Sequence, residues 1–242
     1  MKRTLFEGLN TGEISGLREI LTLNQQTYPA NTIIPFSDLK SNTIGIINTG
    51  LVELKSSDAD GHEIILSYYK KDDSFGPYSV DSLDLIPEEF SDRGGYFFAK
   101  KSSDITYLNY EELLTDRPKY QETCKKIIQN LIRIRLMNNQ TRILVLSRRS
   151  IRDRFMTYLE ILRSENERMS DERLLQGHTF SYGETTTSLN RPVAVALPLS
   201  YTDLAAYLIA DRSSLMREIK NMKEEGLIAE ENQKLRLLWK ED

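Results

Sequence analysis

The polar side chains of this chain that are best suited to bind another molecule lie within residues 199–228. Arg212, Arg217 and Lys220 recur there at steps of five and three, beside the hydroxyls of Ser213 and Ser214. Guanidinium, ammonium and hydroxyl groups so placed at the start of a helix can bond base edges and phosphate oxygens at a DNA major groove. The pattern therefore indicates recognition of nucleic acid, and the alternative is a solvated helical hairpin with ordinary surface charge.

Two short helices joined by a tight turn would position these side chains. Ser200 followed by Asp203 is the pattern of a helix N-terminus, and the apolar stripe behind it consists of Leu204, Ala205 and Leu208. Asp211 supplies a second N-cap, Gly226 closes the second helix, and its apolar residues are Leu215, Ile219 and Met222. The arrangement predicts a helix-turn-helix.

The turn of this motif carries an unusual residue. Ile209 stands where such turns commonly have glycine. Because a β-branched residue is disfavoured at positive φ, we expect the turn to have a different local geometry.

The first half of the chain has the pattern of a β-rich domain. Short apolar runs separated by turn residues occupy residues 43–47, 51–54, 64–69, 96–99 and 104–108. Residues 58–61, Asp-Ala-Asp-Gly, are a strong turn signal. Several strands at this spacing predict a β-roll of barrel or jelly-roll type, with the last two runs as its closing strands.

A long helix is expected after this domain. Pro118 fits a first helical turn, and nothing interrupts the pattern up to residue 146. Steps of four and three connect Ile127, Leu131, Ile134, Asn138, Thr141 and Val145. This a/d pattern predicts pairing with a second copy of the chain. The alternative is a helix packed within one domain.

The remaining elements complete the C-terminal part. Ser147 or Ser150 would cap a helix with the apolar stripe Ile151, Phe155, Tyr158, Leu159 and Leu162. The polar residues 163–191 follow, with residues 178–184 as one arm of an extra hairpin. We expect residues 193–197 to form a short strand, and residues 227–229 and 235–239 to form a two-stranded wing. Trp239 would be a core anchor of this wing, with a ligand platform as the alternative.

Composition and charge restrict the function. The chain is 39% hydrophobic and 28% charged, with a net charge of −4. The basic excess is local, since residues 118–146 carry six Lys and Arg against one acidic residue. A DNA-binding domain needs a positive face and not a positive total. There is no run of 18 apolar residues and no signal-like start, so we expect a cytoplasmic protein with no membrane partner.

Residues that could support catalysis or bind a metal are few. The two histidines, His62 and His178, fall in different expected domains, and Cys124 is the single cysteine. This excludes an internal disulfide, a cysteine-ligated iron–sulfur cluster and a converging His and carboxylate metal site. We expect Cys124 to be a small buried hydrophobe, with a redox sensor as the alternative. We therefore expect neither an enzyme nor an identifiable cofactor.

Three segments together resemble a known family. Residues 48–52 (Asn-Thr-Gly-Leu-Val), 60–64 (Asp-Gly-His-Glu-Ile) and 72–76 (Asp-Asp-Ser-Phe-Gly) are similar, in order and spacing, to the effector domain of the Crp/Fnr regulators. With the helix-turn-helix, the resemblance covers nearly the whole chain. It implies an α+β chain with an N-terminal β-roll of cyclic-nucleotide-binding type, a long dimerisation helix and a C-terminal winged helix-turn-helix.

The resemblance assigns DNA contacts by position. Arg212, Ser213 and Arg217 would read base edges, and the residues contacting phosphates would be Ser200, Thr202, Ser214 and Lys220. Much of the family carries Glu at the position of Ser213. We therefore expect a half-site different from the commonest one.

The resemblance also locates an effector pocket, in which this chain departs from the family pattern. The expected residues are Phe75, Gly76, Arg93, Arg135 and Leu136. The acidic residue that would hold the ribose is replaced by Pro77, and Gly94 follows Arg93 in place of a hydroxyl. We expect cyclic AMP to bind no better than millimolar, and the effector to be another small molecule of unknown identity.

The sequence thus predicts three parts: an effector-sensing domain over residues 1–117, a dimerisation helix over 118–146 and a DNA-binding domain over 147–242. The dimer contacts would be Ile127, Leu131, Ile134, Asn138 and Thr141. Expected partners are double-stranded DNA, a second copy of the chain and, by resemblance, RNA polymerase. The alternatives are a ligand-sensing adaptor that does not bind DNA and a jelly-roll enzyme.

Overall fold

The computed structural model describes residues 4–35, 42–57, 60–76, 95–177, 194–231 and 234–238, without the side chains of residues 167–177. The chain divides into two compact units, one within residues 3–139 and the other within residues 140–242. The division falls inside a long helix. The three-part boundaries expected from the sequence stay a prediction.

The N-terminal unit is built on antiparallel strands with short helices at its ends. Its strands are β1 (Leu23–Tyr28), β2 (Thr32–Ile33), β3 (Thr43–Ser57), β4 (Glu63–Lys70), β5 (Ser74–Phe75) and β6 (Tyr96–Asn109). Helix α1 (Thr11–Leu17) precedes them, and helix α2 (Tyr110–Leu114) follows. Asn10 begins α1 with a capping box, accepting from the Glu13 N–H while the Glu13 carboxylate accepts from the Asn10 N–H.

Two long strands form the spine of the sheet. Its order is β1-β6-β3-β4, with β2 paired to β6 and β5 paired to β3. β3 pairs with β6 from Thr43 opposite Asn109 to Lys55 opposite Tyr96. The register shifts near Gly50, whose φ is 103°, and a Cβ there would lie 2.6 Å from the Ser102 carbonyl oxygen. A glycine at this bulge lets the two strands stay in contact.

The β-roll is confirmed, and its closing strands differ from expectation in one respect. The runs at residues 96–99 and 104–108 belong to the single 14-residue strand β6. Lys100, Lys101 and Ser102 lie between the two runs and belong to the same strand. They are polar because this part of the strand is exposed to solvent or half-buried. Ser103 between them and the second run is buried.

The apolar side chains of this unit form two clusters. The first fills the roll with aromatic rings and aliphatic side chains from Tyr28, Ile34, Ile47, Val52, Tyr69, Phe75, Phe97, Ala99, Ile105 and Tyr107. The second lies between the sheet and the helices and contains Leu5, Leu17, Leu21, Ile44, Leu108, Leu113, Cys124, Ile127 and Leu131. Burial raises the pKa of Cys124, so its thiol stays protonated. This supports the interpretation of Cys124 as a small residue of the core.

The long helix begins slightly later than the sequence predicts. Pro118–Tyr120 is a 3-10 turn, and helix α3 runs from Gln121 to Leu146. A proline at the start of the turn costs no hydrogen bond, because the first N–H groups of a helix have no partner in it.

The C-terminal unit combines helices with a small sheet. Helix α4 (Ile151–Gly177) is followed by β7 (Ala194–Ala196), α5 (Tyr201–Leu208), α6 (Arg212–Glu224), β8 (Ile228–Glu231) and β9 (Lys234–Leu237). The expected two-stranded wing is a three-stranded sheet of order β7-β9-β8, since the strand before the motif also pairs with β9. Trp239 lies outside the described residues.

Helix α4 extends beyond the expected apolar stripe. Phe155, Tyr158, Leu159 and Leu162 are buried as predicted, and the Ser150 hydroxyl accepts from the Asp153 N–H as the capping residue. The helix then continues through part of the polar segment, to Gly177. The expected hairpin arm at residues 178–184 lies outside the described residues.

The turn between α5 and α6 contradicts the expectation made from Ile209. This residue does adopt the left-handed conformation, with φ of 50° and ψ of 60°. The Ala210 N–H donates to the Ala205 carbonyl at 3.0 Å, closing the end of α5 as glycine commonly does. The first helix of the pair therefore ends in the left-handed conformation that glycine commonly supplies, and here the strained residue is an isoleucine.

Replacing Ile209 with glycine should raise stability. The left-handed conformation destabilises the folded state by about 1–2 kcal/mol when an L-residue adopts it, and glycine removes this strain. Glycine also makes the unfolded chain more flexible, which cancels about half of the gain in the free energy of unfolding. We expect the unfolding midpoint to rise by about 2–3 °C in a thermal melt. Ala206→Gly, within the right-handed part of α5, is the matched control and should lower the midpoint. A lower midpoint for Ile209→Gly would contradict the strain argument.

Candidate nucleic-acid interface

Both helices of the motif begin as the sequence predicts. The Ser200 hydroxyl accepts from the Asp203 N–H at 3.2 Å and donates to the Asp203 carboxylate at 2.6 Å. At the start of α6, the Asp211 carboxylate accepts from the Ser214 N–H at 2.9 Å. These caps fix the helix ends because each satisfies an N–H group that has no partner within its helix.

The cap of α6 also engages one of the expected base-reading side chains. The Ser213 hydroxyl donates to the Asp211 carboxylate at 2.5 Å. This bond and the one from the Ser214 N–H hold the pKa of Asp211 below its ordinary value. With its proton directed to Asp211, the Ser213 oxygen faces outward chiefly as an acceptor.

Helix α6 has one apolar face and one exposed basic face. Leu215, Ile219 and Met222 are buried, and they pack α6 into the unit. By helical periodicity, Ser213, Arg217 and Lys220 lie on the opposite side, and all three are exposed. Arg212 is exposed nearer the edge of this face.

The two arginines of this face are available for new contacts. Across the described parts of the chain, neither Arg212 nor Arg217 forms a salt bridge or a hydrogen bond through its side chain. Lys220 lies 3.7 Å from the Glu224 carboxylate, and both side chains are mostly exposed. Such an exposed pair contributes little, so Lys220 can exchange it for a phosphate.

Arg152 of α4 pairs with two acidic residues on the flank of α6. Its guanidinium makes two bonds to the Glu225 carboxylate, at 2.7 and 2.8 Å, and donates through Nε to Glu218 at 3.0 Å. Arg152 holds the pKa of Glu225 below its ordinary value, so this carboxylate stays ionised and paired. Sequence reasoning missed Arg152, because nothing in its spacing relates it to residues 66 and 73 positions away.

The structure brings together only part of the expected effector pocket. Arg135 donates from Nε to the Gly76 carbonyl at 3.2 Å. Phe75 is a core side chain, with its ring centroid 4.7 Å from that of Phe97 and 5.5 Å from that of Tyr69. Leu136 is 57% exposed. Pro77, Arg93 and Gly94 lie outside the described residues.

The expected dimer seam on α3 requires a correction. Ile127 and Leu131 are buried in the second core cluster of their own unit, so they are not available to a partner chain. Ile134 and Thr141 are half-buried, and Asn138 is exposed. A heptad spacing does not distinguish a partner helix from the sheet of the same chain, and the dimer contacts expected from it stay a prediction.

A different set of apolar residues faces outward from α3. Ile132 is 53% exposed and Leu136 is 57% exposed, one helical turn apart. Ile143, seven residues after Leu136, is 67% exposed. Spacings of four and seven place these residues on one stripe of the helix. We name Ile132, Leu136 and Ile143 the α3 stripe.

Two kinds of feature are absent from the residues that the structure describes. None of the helices in these ranges is long and apolar enough to cross a membrane. The side chains placed there contain no group of three or more His, Cys, Asp or Glu residues that could hold a metal ion.

Comparisons with known proteins give structural matches only. No protein-family model matches the chain, and no match is found among curated proteins. A CooA mutant from Carboxydothermus hydrogenoformans superposes with a TM-score of 0.63 at 17% identity, covering 98% of this chain and 92% of that one. CLP of Xanthomonas campestris, a c-di-GMP responsive global regulator, gives 0.57 at 18% identity over 96% and 100%. A CRP family transcriptional regulator from Thermus thermophilus gives 0.52 at 18% identity over 88% and 91%.

Proposed function

We propose that this chain, which has the fold of the CRP/FNR transcriptional regulators, is a homodimeric regulator that binds DNA at specific sequences. The observation that carries the proposal is the exposed basic face of α6, capped by Asp211 and packed through Leu215, Ile219 and Met222. A helix so fixed, with the exposed guanidinium groups of Arg212 and Arg217 in its first half, fits the major groove.

The roles of the side chains follow from their chemistry and exposure. The Arg212 and Arg217 guanidinium groups have no side-chain partner among the described residues, and they can make bidentate contacts with guanine. Ser213 would accept a hydrogen bond from an amino group of cytosine or adenine, because its own proton is directed to Asp211. Thr202, Ser214 and Lys220 would contact phosphates and set the register. The Ser200 hydroxyl donates to the Asp203 carboxylate, so a phosphate contact through it would require that bond to break.

Electrostatics support this surface despite the negative total charge. Arg152 pairs with Glu218 and Glu225, so the flanking carboxylates of α6 present less negative potential to an approaching phosphate backbone. The proposal therefore needs only a local positive face.

The dimer contact we propose is the α3 stripe of Ile132, Leu136 and Ile143. Exposed apolar side chains on one stripe of a 26-residue helix are suited to pairing with a second copy. Asn139, seven residues after Ile132, lies on the same stripe and would weaken the packing but fix its register. Two copies related by a twofold axis would bind a pseudo-palindromic operator.

The proposed regulation involves a small molecule other than cyclic AMP. CLP, of the same fold, is described as responsive to c-di-GMP. In this chain the contact between Arg135 and Gly76 joins α3 to the end of β5, which is a suitable place for a ligand to influence the helix. RNA polymerase as a partner and the cytoplasm as the location belong to the same proposal.

Selection from random DNA tests the proposal. The purified full-length protein should enrich a pseudo-palindrome whose half-site centres are about 10 base pairs apart, since two recognition helices then lie in successive major grooves. Absence of any enriched sequence, with the protein folded and dimeric, would favour the adaptor that does not bind DNA.

A further inference from the structure

Two arginines converge on the last carbonyl groups of α5, where the helix-turn-helix makes its turn. The Arg142 Nη1 donates to the Tyr207 carbonyl. The Arg154 Nη1 donates to the carbonyls of Leu208 and Ile209, each at 3.1 Å. The final carbonyls of a helix have no partner within it, and cations are favourable at this end of the helix dipole.

Each arginine is itself held in place from a different part of the unit. The Arg142 guanidinium carbon lies 4.2 Å from the ring centroid of Tyr207, a buried side chain, so the group is stacked as well as hydrogen-bonded. The Arg154 Nε donates to the Arg148 carbonyl at 2.9 Å. The turn is thereby tied to the end of α3, to the residues after it and to α4.

The position of Arg142 carries an electrostatic cost. Its Nη2 atom is buried and has no hydrogen-bond partner in the described residues. Burial lowers the pKa of Arg142, and the nearby Arg154 acts in the same direction, whereas Tyr207 opposes them. A half-buried cation that has no carboxylate partner in the described part of the chain persists where its other contacts offset this cost.

The carbonyls that the arginines hold surround the strained residue of the turn. Ile209 has a φ of 50°, and its own carbonyl is one of the two bonded to Arg154. A strained backbone conformation is kept only when the surrounding contacts determine it. The direction in which α6 leaves the turn depends on this residue.

We propose that Arg142 and Arg154 are positioning residues for DNA binding. They hold the left-handed turn at Ile209, and so fix the recognition helix α6 relative to α5 without contacting DNA themselves. Through Arg142, the last turns of α3 become part of the helix-turn-helix scaffold, so a change in this part of α3 alters DNA affinity. The inference rests on the proposed DNA-binding function.

The first test replaces Arg142 with methionine in the full-length protein. Methionine keeps an unbranched apolar stem but is shorter than arginine, and it removes the charge, the hydrogen bond to the Tyr207 carbonyl and the guanidinium contact with the Tyr207 ring. We expect the dissociation constant for the selected operator to rise about tenfold, with the same sequence preferred. The dependence of affinity on salt should be unchanged, because no phosphate contact is lost. Arg133→Met, an exposed arginine on the same helix, is the matched control and should bind like the wild type.

The second test links Arg142 to the turn. In an Ile209→Gly background the turn no longer needs to be held, so the Arg142→Met loss should shrink to about threefold or less. Amide exchange at Ala210 should be faster in Arg142→Met than in the wild type, and slow again when Ile209→Gly is added. Arg154→Met replaces the first variant if Arg142→Met does not fold, judged by circular dichroism.

Three outcomes would overturn the inference. One is unchanged operator affinity in folded Arg142→Met. Another is a decrease of about two in the slope of log affinity against log salt concentration for the Arg142→Met dimer, which would mean that Arg142 contacts phosphate directly. The third is an equal loss in both backgrounds. Failure of the wild type to select any operator would instead contradict the proposed function.

Discussion

Arg217→Ala is expected to relax base preference at one position of each half-site and to leave the other positions unchanged. The Arg217 guanidinium is exposed and unpaired in the described residues, at the centre of the outward face of α6. A bidentate contact with guanine contributes about 1–3 kcal/mol of discrimination, which is roughly a 5- to 150-fold difference between guanine and another base. Selection from random DNA, followed by binding to single-base variants of the operator, measures this directly.

Lys220→Ala gives the contrasting result within the same helix. Lys220 is expected to touch only phosphate, so its loss should weaken all sequences alike and reduce the salt slope by about one per half-site. Arg18→Ala removes an exposed arginine of the N-terminal unit and serves as the control for total charge. If Arg217→Ala and Lys220→Ala change specificity and salt dependence in the same way, the assigned roles are incorrect.

Leu136→Asp is expected to convert the dimer into a monomer at low micromolar concentration. The substitution places two carboxylates in an apolar contact when two α3 helices pair, at a cost of several kcal/mol. Sedimentation velocity of the wild type and the variant measures the change. Operator affinity should fall with it, because a monomer presents only one recognition helix to the palindrome.

Leu114→Asp is the matched control for this experiment. Leu114 is 58% exposed against 57% for Leu136, but it lies on α2 and not on the α3 stripe. It should remain dimeric. A dimeric Leu136→Asp variant would show that the proposed interface is misplaced, whether or not the protein dimerises through another surface.

The sequence was most informative where local chemistry determines structure. Ser200 and Asp211 were predictable as caps because a short polar side chain before an apolar stripe has few other uses. The buried residues of α6 followed from helical spacing for the same reason. The β-roll and the helix-turn-helix were thus accessible from patterns spanning a few residues.

The sequence was least informative where distant residues meet. Ile127 and Leu131 fitted a dimer seam, but the structure places them in their own core, which the heptad pattern does not reveal. Arg152, Arg142 and Arg154 act on residues more than 50 positions away, and their neighbours in sequence give no sign of it. Ile209 was mispredicted because its conformational preference was considered without these contacts.

The isoleucine at the turn has a consequence for finding related proteins. A sequence pattern that requires glycine between the two helices would reject this chain, although its backbone has the glycine-like conformation there. If side chains elsewhere can hold a left-handed residue in place, another residue can replace glycine at this position in a diverging protein. The arginines that hold the turn would have to be present before that replacement. Divergent chains of this fold would then be better recognised by the combination of residues at positions 142, 154 and 209 than by the turn residue alone.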